Sequence, residues 1–110
     1  MTSRYGCPID IFGAINYIQA NLDQKLTLEA IAQHLNMSVY YFCQLFTQSM
    51  GIPPYKYVLQ QRVERAKQLL KDGNRAIVDI ALECGFANQT HLNKHFRKLT
   101  GTTPKVYRQR

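Results

Sequence analysis

Apolar residues return along this chain with helical spacing, and nowhere do they alternate strictly enough to argue for a strand. Ile11, Ile15, Ile18 and Leu22 fall at i, i+4, i+7 and i+11, which predicts a first helix from near Pro8 to about Asn21. Thr27 offers a hydroxyl to cap a short second helix whose buried stripe is Leu28, Ile31, Ala32 and Leu35. Asn36 and Met37 form a tight turn. Ser38 then caps a third helix, Val39 to Met50, which Gly51 stops and Pro53-Pro54 keeps from continuing. From Pro54 to about Lys71 a longer helix buries Leu59, Val63, Ala66 and Leu70, and Asp72-Gly73-Asn74 ends it.

The pattern then repeats. Ile77, Ile80, Ala81 and Cys84 stand 49 positions after Leu28, Ile31, Ala32 and Leu35, and Gly85-Phe86 stands 49 after Asn36-Met37. Past one inserted residue, Ala87, the offset is 50: Asn88 matches the Ser38 cap, Leu92 and Phe96 match Phe42 and Phe46, and Gly101, Pro104 and Tyr107 match Gly51, Pro54 and Tyr57. A short helix, a tight turn, a capped second helix and a glycine stop is the outline of a helix-turn-helix, present here twice. Asn36 and Gly85 are residue types that tolerate the positive φ such a corner requires. The expected architecture is all-α, with a first helix-turn-helix subdomain over 8–53, a linker helix over 54–72 and a second subdomain over 73–110.

The wheel of each second helix separates core from surface. Phe42, Leu45, Phe46 and Ser49 share an arc expected to be core, and opposite them lie Tyr40, Gln44 and Thr47, with Cys43 on the flank. On the later helix Leu92, Phe96 and Leu99 define the expected buried arc. Thr90, Lys94, Arg97 and Lys98 lie opposite, with Gln89, His91 and Asn93 at the start or flank. Amides, hydroxyls and cations on this part of this motif are the groups that read base edges.

Charge strengthens the reading. Fourteen Lys and Arg against seven Asp and Glu leave +7 over 110 residues, so a polyanion is the first partner to consider. Residues 1–53 carry a net −1 and residues 54–110 a net +8. Lys56, Arg97, Lys98 and Lys105 are the expected phosphate contacts, which position a domain without conveying sequence. Two groove-reading helices on one chain must lie about 34 Å apart to enter successive major grooves, and a linker helix of about 17 residues supplies roughly 26 Å of that.

Ile80-Ala81, the run Cys84-Gly85-Phe86-Ala87-Asn88-Gln89-Thr90-His91-Leu92, then Phe96-Arg97-Lys98, Gly101-Thr102-Thr103-Pro104 and Tyr107-Arg108 resemble the signature of the AraC/XylS transcription regulators. Arg62-Val63, Ala66, Leu69 and Leu70 resemble that family's linker helix, and the likeness runs from about Ile9 to Arg108. It implies seven helices in two helix-turn-helix subdomains joined by a central helix, binding an asymmetric promoter site on double-stranded DNA. It also implies base reading by Tyr40, Cys43 and Gln44 in the first motif and by Gln89, Thr90, His91, Asn93 and Lys94 in the second. Gln44 stands where the family usually has Arg, and Asn36 where it usually has Gly. Family members usually carry an effector-binding or dimerising domain, and only seven residues precede Pro8, so the expectation is either a stand-alone member or a C-terminal part. RNA polymerase is a further partner such a regulator implies.

Other readings find less support in the residues. His91 and His95 stand at i, i+4 near Cys84, a spacing that suits a metal ion, but the repeat gives Cys84 the buried place of Leu35. Catalysis by Cys43 needs a base that the sequence does not place beside it, and no phosphate loop or nucleophile elbow is present. Exposed Tyr40 could stack on a single strand. The alternating charges of Arg62, Glu64, Arg65 and Lys67 suit an ordinary solvated face more than a membrane-docking one, and Arg62 or Arg65 is expected to pair with Asp79. No apolar run approaches the roughly 20 residues that span a bilayer. Cys7, Cys43 and Cys84 are odd in number and widely separated, which predicts reduced thiols. The expectation is a cytoplasmic regulator with no cofactor, no metal and no membrane partner.

Overall fold

The structure is a computed structural model that describes residues 8–109. Among these residues there are seven helices and no strand: α1 Pro8–Ala20, α2 Leu28–His34, α3 Val39–Met50, α4 Pro54–Leu70, α5 Ile77–Glu83, α6 Gln89–Thr100 and α7 Pro104–Arg108. They fall into two compact units, one holding the described residues up to Asn21 together with Lys25–Val58, the other holding Leu22–Gln24 and the residues from Leu59 onward. The long helix α4 gives its first turn to one unit and the rest to the other. Cys7 lies outside the described residues.

In the first unit α1 packs on α2 and α3, and α2 packs on α3. Ile11, Ala14, Ile18, Ile31, Ala32, Phe42, Leu45, Phe46 and Val58 are buried, and Phe46 takes Tyr57 edge-on at 5.4 Å. Side-chain caps set where the helices start. Thr27 Oγ1 accepts the Ala30 N–H at 3.0 Å, and Ser38 Oγ accepts that of Tyr41 at 3.1 Å, each satisfying a donor that the first turn leaves without a helical partner. Between α2 and α3 the chain turns through Asn36 at φ 59°.

The second unit reuses this scheme with different chemistry. Val63, Ala66 and Leu70 of α4 pack with Ile80, Ala81, Cys84, Phe86, Leu92 and Phe96. Asn88 Oδ1 accepts the His91 N–H at 2.8 Å and Thr103 Oγ1 that of Val106 at 3.2 Å, while Ala76, the counterpart of Thr27, gives α5 no side-chain cap. Gly85 takes the corner at φ 89°, and α3 and α6 both end on a left-handed glycine, Gly51 and Gly101.

Several expectations about packing need correction. Ser49 and Leu99 are exposed, because each sits near the end of its helix where the arc runs past the core. Leu59 and Ile15 are only half-buried. Val58 and Ala14, one position earlier on their helices, take the interior places. Neither Arg62 nor Arg65 pairs with Asp79. Arg62 instead donates from Nε to the Leu22 carbonyl at 3.1 Å and from Nη2 to the Gln24 carbonyl at 2.7 Å, both on the segment that follows α1. The ion pairs among the described residues are Lys67 with Glu64, and Arg75 with Glu83 and Asp72.

Candidate nucleic-acid interface

The first motif presents α3. With Phe42, Leu45 and Phe46 turned inward, Tyr40, Gln44 and Thr47 are exposed and Cys43 is half-buried at their edge. Tyr40 keeps 73% of its surface in solvent, a large exposure for an aromatic ring and therefore one without a core role. Gln44 Nε2 donates to the Tyr40 hydroxyl at 2.7 Å. Tyr40, Cys43, Gln44, Thr47 and Gln48 line one open depression of about 400 Å³. Gln48 is absent from the residues singled out above, although its place one turn after Gln44 is a signal that could have found it. The His34 ring stacks on Tyr17 at 4.3 Å.

The second motif presents α6, whose outer face carries formal charge. Gln89, Thr90, Lys94, Arg97 and Lys98 are exposed, His91 and Asn93 are half-buried, and none of the three cations takes part in an ion pair among the described residues. His91 has a divided role. Its Nδ1 accepts the Ala87 N–H at 3.3 Å and its ring meets Phe86 edge-on at 5.5 Å, which leaves Nε2 as the ring atom able to reach outward. His95 stacks on Phe86 at 6.0 Å, and burial, helped by the charges of His91, Lys94 and Lys98, holds its imidazole below the ordinary value of 6.5. Cys84 is fully buried, and burial pushes its thiol up to about 11. No group of three or more His, Cys, Asp and Glu among the described residues is placed to hold a metal ion. Lys56 on the first turn of α4 and Lys105 on α7 are both exposed.

Each motif therefore holds a capped helix whose inner face is fixed by aromatic packing and whose outer face is polar. A helix-turn-helix domain model matches residues 31–110. An AraC-type DNA-binding domain protein from Chromobacterium violaceum superposes with a TM-score of 0.86 at 33% identity, over 94% of this chain and 93% of that one. The chain belongs to the AraC/XylS family of transcription regulators. A second solved member, the DNA-binding domain of AdpA in complex with a target DNA, has a TM-score of 0.83 at 28% identity, over 87% of this chain and 86% of that one. In sequence the chain is 41% identical over 93 residues to the bifunctional transcriptional activator/DNA repair enzyme AdaA of Bacillus subtilis, covering 84% of this chain and 44% of AdaA. It spans less than half the length of the curated AraC-type relatives it matches. Among the described residues no helix is long and apolar enough to cross a membrane.

Proposed function

We propose that this chain is the sequence-specific double-stranded DNA-binding part of a cytoplasmic transcription regulator, with no chemistry of its own. The observation that carries the reading is the pairing, within each motif, of a core-locked inner face with an outer face of base-reading residue types. In the first motif Tyr40, Cys43, Gln44 and Thr47 would meet base edges by hydrogen bonding and apolar contact, without formal charge. In the second, Gln89, Thr90, His91 through Nε2, Asn93 and Lys94 would do so beside the cations Arg97 and Lys98. Lys56, Arg97, Lys98 and Lys105, with the N–H groups at helix starts, would hold phosphates. The two helices would enter successive major grooves, and RNA polymerase and an effector or dimerising domain are the further partners of such a regulator.

Selection of sites from a random duplex pool tests this directly. The expected result is a site with two conserved elements about 10 base pairs apart. On the selected duplex Lys94→Ala should cost about 1–3 kcal/mol and relax preference at one position, whereas Lys105→Ala should weaken all duplexes alike. Recovery of no motif, or parental binding by both variants, would overturn the assignment.

A further inference from the structure

We propose that the second unit carries a binding site for a small organic carboxylate, in a cavity separate from the α6 face. The cavity has a volume of about 440 Å³ and is lined by Leu70 at the end of α4, Lys71 and Gly73 just beyond it, and Tyr107 and Arg108 of α7. That volume lies within the range of pockets that hold small ligands.

Arg108 decides the chemistry. Its Nε and Nη2 are shielded from solvent and have no hydrogen-bond partner. Buried donors are almost always paired, so two unpaired ones on a single cation point to a missing acceptor. These two N–H groups are the parallel pair on one side of a guanidinium, the fork that meets both oxygens of a carboxylate at once. Arg108 is among the residues that line the cavity, and binding there requires its guanidinium to turn so that this pair meets the ligand. Lys71 places a second positive charge on the same wall, so the acceptor is an anion. The rest of the lining is partly apolar: Leu70 lies buried at its base, and the Tyr107 ring is held by an edge-on contact with Phe96 at 5.5 Å. An inorganic anion would leave that apolar part against water, while a carboxylate with a compact apolar body satisfies both halves. Lys71 and Arg108 are not among the residues assigned to DNA, and the site stands or falls independently of that assignment.

Phenylacetate is a suitable probe, with 2-phenylethanol as the neutral match and inorganic phosphate as the bare anion. Titrated into the full chain and followed by backbone amide NMR, phenylacetate should give saturable shifts at Leu70, Lys71, Gly73, Tyr107 and Arg108, and 2-phenylethanol should give none. Arg108→Gln should weaken binding at least tenfold, with an unchanged melting curve showing that the unit is intact. Gly73→Leu provides a second route, because a Cβ at Gly73 meets nothing within 4 Å and a larger side chain there narrows the cavity without touching a charge. It should also weaken phenylacetate. Shifts that never saturate, equal binding of the alcohol or of phosphate, or unchanged affinity in both variants would each overturn the proposal.

Discussion

Gly85→Ala should be far more damaging than its place in a surface turn suggests, and the reason lies in its neighbours. A Cβ built there comes within 2.1 Å of the Leu22 carbonyl oxygen and 2.7 Å of Arg62 Nε. Backbone conformation alone costs about 1–2 kcal/mol for a non-glycine residue in the left-handed region. The first motif tolerates that conformation without glycine, since Asn36 holds φ 59° at the corresponding corner. At Gly85 the added carbon must also push back the Leu22 carbonyl, the acceptor of one of the two Arg62 hydrogen bonds. A hydrogen bond from a charged donor contributes about 1.5–3 kcal/mol, so the combined loss is about 2.5–5 kcal/mol. Gly51→Ala is the matched control: φ is 81° and a Cβ there meets nothing within 4 Å, which leaves only the conformational part. Urea unfolding, with the slope of the transition checked for constancy, measures both. If Gly85→Ala lost no more stability than Gly51→Ala, the argument from close approach would be wrong. An Arg62→Ala background should also absorb part of the Gly85→Ala loss, because the two changes share one contact.

Asn88→Ala should destabilise by about 1 kcal/mol through loss of the α6 cap, and Ser38→Ala by a similar amount for α3, both read from the same urea midpoints. His95 is held more neutral in the folded chain than its ordinary value of 6.5 allows, so the unfolded chain binds the proton more readily. Stability should therefore decline as pH falls from about 6.5 through the lower folded value, and His95→Gln should flatten that decline in melting temperature between pH 7 and pH 5. Native-state alkylation followed by peptide mapping should mark half-buried Cys43 well before Cys84, whose thiol is buried and raised to about 11. Equal labelling of the two would contradict the packing of the second core.

The internal duplication was legible because its apolar positions, caps and stops recur in register, and the elements it implied lie close to those observed. Helix ends were read well where a side chain does the capping, as with Ser38 and Asn88. The wheel failed at Ser49 and Leu99 because periodicity continues to the end of a helix while the neighbouring core does not. Arg62 was misread for a different reason. Its partners are the backbone carbonyls of Leu22 and Gln24, and a carbonyl has no sequence identity to match against a cation, whereas Asp79 offered a visible but unused charge. The unpaired fork of Arg108 was invisible on the same ground. It depends on what α4 and α7 leave open between them, not on any motif.

Joined at 2.7 Å, the Gln44 amide and the Tyr40 hydroxyl behave as one composite tip rather than two independently swinging ends. Such a tip has shed rotamer freedom before it meets anything, so less entropy is lost on contact. The same tether shortens its reach towards alternative groups. The uncharged helix thereby exchanges adaptability for a repeatable pose, while the unpaired lysines and arginine of its counterpart retain the opposite balance.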